Sequence, residues 1–164
     1  MRLLHNIGNE NHSNYNTREE VLRCNDELGF DGVYYNVFQN KDVLKDKKGI
    51  LFVMGDYIGM DNTFDLANVP KLERYCTLKE VEQLCEEYDF EVGWHTWTHR
   101  DLTTLSKSEI MKELTPPTPM DYLAYPHGTY NDLVVECARE VGYKKAWSVT
   151  QGNSNPLTLY RNYI

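Results

Sequence analysis

Short apolar runs that alternate with segments of helical spacing constrain the fold of this sequence most. The apolar runs lie at 28–30, 50–54, 90–94, 122–125 and 146–149, and helical spacing occurs at 35–47, 78–88, 106–114 and 130–141. Short buried strands that each lead into a helix are typical of a mostly parallel α/β sheet or barrel. Because these units are fewer than the eight of a complete barrel, we predict an incomplete, distorted (β/α) barrel.

The chain length predicts a single domain over residues 1–164. A chain of 164 residues with 41% hydrophobic and 26% charged residues can bury one sizeable core. Residues 1–20 are expected to form an N-terminal loop or arm, because 5–20 are rich in turn-forming residues. At its end, Thr17 followed three residues later by Glu20 predicts the start of a short helix.

The charge and hydropathy of the sequence indicate which partners and which cellular compartment to expect. The net charge of −8 offers no basic surface for a phosphate backbone, so nucleic acid is not expected as a partner. No apolar stretch is long enough for a membrane span, and the polar N-terminus lacks the apolar region of a signal peptide, so we expect a cytoplasmic protein. The four cysteines form no CxxC pair and are interpreted as reduced structural thiols.

Polar residues follow the predicted strands at the points where these end. Asp31 follows the first run, His95 the third, and Pro126 and His127 the fourth. In α/β folds the chemistry gathers at the carboxyl ends of the strands, so these residues are the candidates for a functional site.

His95 and His99 are four residues apart directly after an apolar run. If the chain turns helically there, both side chains project from one side and could bind one metal ion. Spacing alone leaves a second interpretation open, in which they are unrelated surface histidines beside packing tryptophans.

Three motifs together resemble the polysaccharide deacetylase (NodB-like, carbohydrate esterase family 4) family. Residues 95–102, which read HTWTHRDL, are similar to the family's H-[ST]-x-x-H motif with a following DL pair. Residues 28–32, LGFDG, are similar to its T-F-D-D-G strand, and 124–131, AYPHGTYN, look like its third motif in the A-Y-P-x-G form. The resemblance extends from about residue 27 to residue 149.

The resemblance implies a metal-dependent hydrolase that removes an N-acyl, usually N-acetyl, group from an amino sugar. It implies one divalent ion, zinc before nickel or cobalt, held by Asp31, His95 and His99. The backbone N–H of His127 would stabilise the oxyanion, and Tyr125, Pro126, His127 and Trp147 would line the substrate site. For the aromatic rings, packing in the core is the alternative interpretation.

The sequence departs from the family pattern at three points. A single aspartate, Asp31, stands where relatives have two, so it is the candidate for both general base and metal ligand. Asp101, Glu27 and Asp56 could supply the missing carboxylate, and spacing does not select among them.

The other two departures concern a histidine and an arginine. No histidine follows Trp147 in place of the family's last motif, which leaves His127 as the candidate general acid. Ala124 stands where many relatives have an arginine, so the role of that arginine is lost or supplied from elsewhere.

Two functions remain in view at this point. The first is an active N-deacetylase of a glycan or glycan precursor. The alternative is a catalytically impaired deacetylase-like domain that binds metal and saccharide without turnover. A homo-oligomer is also among the expectations, because a neighbouring protomer could cover the open side of a barrel that ends soon after its last predicted strand.

Overall fold

The architecture is built from ten strands and five α-helices in the part of the chain that the structure, a computed structural model, describes: residues 1–4, 6–8, 16–67 and 71–163. The strands are β1 (Arg2–Leu4), β2 (Ile7–Gly8), β3 (Asn16–Thr17), β4 (Leu28–Asp31), β5 (Lys48–Val53), β6 (Asp89–Trp94), β7 (Tyr122–Ala124), β8 (Lys145–Ser148), β9 (Leu159–Tyr160) and β10 (Asn162–Tyr163). The helices are α1 (Arg18–Arg23), α2 (Tyr35–Gln39), α3 (Leu78–Glu87), α4 (Lys107–Leu114) and α5 (Asp132–Val141).

Eight of the strands form one curled sheet in the order β10-β1-β4-β5-β6-β7-β8-β9, and all neighbours are parallel. The two edge strands are adjacent stretches of one terminal segment, since β9 pairs with β8 and β10 pairs with β1. The predicted incomplete, distorted (β/α) barrel is therefore confirmed. The segment 159–163 lies between β8 and β1, on the side where the sequence predicts an opening.

The central strands are buried on both faces. On β5, Leu51 and Val53 pack into the core beneath the helices, whereas Ile50 and Phe52 pack inside the curled sheet with Trp147. Alternate residues of a strand point to opposite faces, so burial of both faces requires the continuous apolar run seen in the sequence.

The helices begin and end where local chemistry satisfies their terminal backbone groups. Capping boxes start α1 at Thr17, α3 at Thr77 and α4 at Ser106, which confirms the predicted starts of α1 and α4. Gly142, with φ of 104°, ends α5 in the left-handed conformation that glycine tolerates best.

Two predictions about elements need correction. The predicted arm over residues 1–20 contains strand β1 at Arg2–Leu4, because Leu3 and Leu4 are buried between β4 and β10; residues 5 and 9–15 of that arm lie outside the described residues. The predicted helix over 35–47 stops at Gln39, where the side-chain amide of Asn40 donates to the carbonyl of Asn36, and a 3-10 turn follows.

Two further observations concern cysteines and hydropathy. Cys24, Cys76, Cys85 and Cys137 are free thiols, and burial raises the pKa of Cys76 to about 12. In the described ranges, no helix is long and apolar enough to cross a membrane.

Candidate active site

The predicted site residues meet at the carboxyl edge of the curled sheet. Asp31 is the last residue of β4 and His95 follows β6. The turn Pro126–Gly128 follows β7, with one residue between them. The strands between them are paired in register, with Asp31 opposite Phe52 and Val53 opposite Trp94. The parallel sheet thus brings residues that are far apart in sequence to one edge.

The imidazole of His95 is buried and held in one orientation. Its Nδ1 lies 2.7 Å from the carbonyl oxygen of Ala124, which can only accept, so Nδ1 carries the proton and Nε2 has a free lone pair. That Nε2 lies 3.5 Å from Oδ2 of Asp31. Burial lowers the pKa of His95 and outweighs the opposing effect of Asp31, so the ring is neutral near pH 7.

His99 lies beside His95, with 4.8 Å between their ring centroids, and its ring centroid is 4.6 Å from that of His127. Burial and the two neighbouring histidines lower the pKa of His99 to about 3. His95 and His99 are therefore two adjacent neutral imidazoles, the form that binds divalent metals.

The loop that carries His99 is not helical. Thr96 and His99 have φ of 69° and 58°, in the left-handed region that residues with a Cβ rarely adopt. The two histidines do converge as predicted, but a tight irregular turn brings them together rather than the i, i+4 geometry of a helix.

The lowered pKa of His99 predicts a pH dependence of stability. Because the pKa of His99 in the folded protein is about 3, below the ordinary value near 6.5, the unfolded state binds the proton first as the pH falls. We expect the free energy of unfolding of metal-free protein to drop by about 2 kcal/mol between about pH 6.5 and 5.0 through His99. Urea denaturation at both pH values measures it; the His99→Gln variant should lack this part of the drop, and an identical drop in both proteins would refute it.

The carboxylate of Asp31 is held by Arg161, an arginine that no sequence motif indicated. Its two carboxylate oxygens accept hydrogen bonds of 2.8 and 2.5 Å from the guanidinium of Arg161. Arg161 is 1% exposed, whereas 24% of the Asp31 side chain is exposed. Burial alone would raise the pKa of Asp31, but Arg161 and then His95 outweigh it and lower the pKa below its ordinary value.

Arg161 reaches this position from the terminal segment that joins the two edges of the sheet. Its guanidinium lies over the ring of Phe52, 5.2 Å from the centroid. The available signal was weak, namely one arginine between two tyrosines in the short run 159–163. Although Ala124 stands at the family's arginine position, an arginine from another part of the chain lies beside Asp31.

His127 occupies the turn after β7 with φ of 57°, again in the left-handed region. Its side chain is exposed and its ring contacts that of His99. Non-glycine residues in this conformation cost free energy and concentrate at functional sites. The predicted His127 is thus brought to the same cluster as His95 and His99.

The comparisons with known proteins agree with this geometry. A family model described as polysaccharide deacetylase matches residues 28–146. The chain belongs to the polysaccharide deacetylase family. An uncharacterised 30.6 kDa protein of the fumA 3′ region of Geobacillus stearothermophilus is 30% identical over 137 residues, covering 74% of this chain and 45% of the relative. The chain therefore spans less than half the length of that relative.

Solved structures show the same fold. IcaB from Ammonifex degensii superposes with a TM-score of 0.77 at 14% identity, covering 100% of this chain and 91% of that one. The Streptococcus pyogenes deacetylase PplD, solved in complex with acetate, gives 0.70 at 22% identity, covering 89% and 71%. The BpsB deacetylase domain from Bordetella bronchiseptica gives 0.67 at 14% identity, covering 84% and 70%. The resemblance to the polysaccharide deacetylases is confirmed for family and fold.

Two aromatic residues that were predicted to bind substrate are part of the core of this member of the polysaccharide deacetylase family. Tyr125 is 0% exposed and donates a 2.8 Å hydrogen bond from its hydroxyl to the carbonyl of Leu157. Trp147 is 4% exposed and packs edge-on against Phe52 inside the sheet. Pro126 is also buried. Neither ring presents a flat face to a sugar, because Tyr125 is buried in the core beneath the helices and Trp147 is buried inside the curled sheet. The prediction is therefore corrected for these two residues.

This correction has a direct test in the Tyr125→Phe variant. Removing the hydroxyl leaves the carbonyl of Leu157, a buried residue, without this donor, and we expect a loss of about 1–3 kcal/mol in the free energy of unfolding. Urea denaturation measures the loss. The KM for an N-acylated amino sugar, the substrate class that the family resemblance implies, should not change; a raised KM at unchanged stability would show that the side chain contacts substrate after all.

The family's second carboxylate has three candidates in the sequence, and they lie at three different places in the fold. The carboxylate of Asp101 accepts hydrogen bonds from Thr103 and from the hydroxyl of Thr129, which ties the segment after His99 to the turn after β7. Glu27 precedes β4, at the end of the strand opposite to Asp31. Asp56 follows β5, where its backbone N–H donates to the carbonyl of Trp97. Asp31 therefore remains the carboxylate beside the histidines.

The side chains of this site are of types that bind divalent metals, but they are not already arranged around one metal position. Over the described residues, no three His, Cys, Asp or Glu side chains converge with metal-binding geometry. His95 and His99 are nevertheless adjacent neutral imidazoles, and the Ala124 carbonyl fixes the His95 ring as is usual for metal ligands. Asp31 is the nearest carboxylate, but both of its oxygens are bonded to Arg161.

Proposed function

We propose that this chain is a metal-dependent N-deacylase that removes an N-acyl group, N-acetyl first, from an amino sugar in a glycan or glycan precursor. The observation that carries the proposal is the pair of neutral histidines beside an arginine-held carboxylate, at the carboxyl edge of a polysaccharide deacetylase fold. The structural neighbours PplD and BpsB are both described as deacetylases, which supports the same class of reaction.

His95 and His99 are the residues that would hold the metal, with zinc preferred and nickel or cobalt as alternatives. When bound, a divalent ion polarises an amide carbonyl and lowers the pKa of a water molecule toward neutrality. The two imidazoles are suited to this role because both are neutral near pH 7 and can donate their lone pairs without first losing a proton.

We assign Asp31 the role of general base. Arg161 fixes both carboxylate oxygens and keeps the group ionised, while the exposed quarter of the side chain leaves an edge that can accept a proton from the attacking water. In this assignment Asp31 acts only as the base, and Arg161 orients its carboxylate.

The turn after β7 supplies the remaining groups. The backbone N–H of His127 would donate to the oxyanion that forms when water attacks the amide carbonyl. The exposed ring of His127 would pass a proton to the departing amine, and its contact with His99 supports that placement.

The experiment is a release assay on N-acylated amino sugars, their oligosaccharides and nucleotide-linked forms, with zinc-loaded protein. Acetate or formate in solution and the free amine on the sugar are both measured. Release that follows enzyme concentration supports the proposal. Sugar binding with no release at high protein concentration would favour the alternative of a binding domain without turnover.

A further inference from the structure

The loop between His95 and His99 cannot hold its conformation by local preference alone. Thr96 and His99 both adopt left-handed backbone conformations, which are unfavourable for residues that carry a Cβ. Such a loop persists only when surrounding contacts over-determine it. A group outside the loop must therefore fix it in this conformation.

The largest set of such contacts comes from one side chain, Glu113 on α4. One carboxylate oxygen accepts hydrogen bonds of 3.0 Å from the backbone N–H groups of both Trp97 and Thr98. The other oxygen accepts a 2.6 Å bond from the hydroxyl of Thr98. Glu113 is 5% exposed, and among the ion pairs of the described residues it has no Lys or Arg partner. The buried carboxylate of Glu113 therefore accepts hydrogen bonds from three donors of the loop.

The backbone of α4 reinforces the same connection. The indole N–H of Trp94 donates to the carbonyl of Glu113, and that of Trp97 donates to the carbonyl of Thr115, both at 2.9 Å. Trp97 also packs so tightly on Gly55 that a Cβ there would lie 2.3 Å from its ring. The end of α4 and the loop 96–99, here called the histidine loop, form one hydrogen-bonded unit.

We propose that Glu113 is a positioning residue of the active site, whose carboxylate holds the loop 96–99 so that His99 lies beside His95. This inference rests on the proposed function, since it gives that site its second histidine. Glu113 does not contact substrate or metal. Its effect passes through the two N–H groups and the hydroxyl directly before His99.

The test compares Glu113→Ala with the conservative Glu113→Gln, whose amide oxygen can still accept from both backbone N–H groups. Glu86→Ala, which removes an exposed glutamate from α3, is the matched control. Thr98→Val removes only the hydroxyl contact and serves as the milder variant if Glu113→Ala does not fold. Zinc affinity is measured by chelator competition, and amide exchange at Trp97 and Thr98 by NMR.

For Glu113→Ala we expect zinc affinity to fall about 10–100-fold, as for other groups that orient metal ligands. Amide exchange at residues 97 and 98 should accelerate about tenfold or more. At saturating zinc, kcat should fall while KM stays within about twofold, because the loop positions a ligand and not the substrate. Thr98→Val should show a smaller change in the same direction, and Glu113→Gln and Glu86→Ala should remain close to the parent protein.

Parent-like zinc affinity and amide exchange in a folded Glu113→Ala variant, or in Thr98→Val if that variant must be used, would overturn the inference. Failure of the proposed function has a different signature: the parent protein itself would neither bind zinc nor release an acyl group. In that case the exchange rates at Trp97 and Thr98 still decide whether Glu113 holds the loop.

Discussion

Replacing His99 by alanine is expected to lower kcat/KM for acyl release by about a thousandfold or more, because a metal ion contributes several kcal/mol of transition-state stabilisation. The variant loses one of the two adjacent imidazoles that we propose as ligands. Zinc content by elemental analysis and acyl release by product assay should fall together.

The control for this variant is Arg100→Ala, at the next position in the chain. Arg100 is half exposed and pairs with Glu109 on the surface, so we expect its removal to change kcat/KM by less than about twofold. A His99→Ala variant that retains stoichiometric zinc and activity would show that His99 is not a ligand.

Replacing Arg161 by methionine is expected to destabilise the protein by about 3–5 kcal/mol, because it leaves the Asp31 carboxylate without its counter-charge. The ion pair is shielded, with Arg161 1% exposed and Asp31 24% exposed. Urea denaturation gives the change in the free energy of unfolding. In the same variant the pKa of Asp31 should rise, since burial is the largest influence on it and Arg161 is the main opposing charge.

The double variant Asp31→Asn with Arg161→Met separates the ion pair from the general effect of substitution. We expect it to be more stable than either single variant, because it leaves neither charge buried alone. Stability losses that simply add would contradict a coupled pair. Asp31→Asn alone should also reduce acyl release by about 10²–10⁴-fold if Asp31 is the base.

Much of the fold was accessible from the sequence because the strands are buried on both faces. The run at 50–54 is continuous and apolar since β5 packs against helices on one side and inside the sheet on the other. The cap formed by Thr17 and Glu20 predicted a helix from local sequence alone. The histidine pair was visible because its residues are close in sequence and follow a strand.

The rest depends on contacts between distant parts of the chain. Arg161 and Asp31 are 130 residues apart, and no local pattern links them. Tyr125 follows a short strand, and the sequence does not reveal whether its ring faces solvent or core. The contact of Glu113 with the histidine loop likewise exists only once α4 has packed against the chain that follows β6.

Acyl release by protein that is stripped of metal with a chelator and then titrated with zinc decides whether the reaction depends on a metal held by His95 and His99. We expect release to be lost on stripping and to return in proportion to added zinc up to one equivalent, with no return in His95→Ala or His99→Ala. Undiminished release by the stripped protein, or equal recovery in both histidine variants, would contradict a metal-dependent deacylase built on this pair.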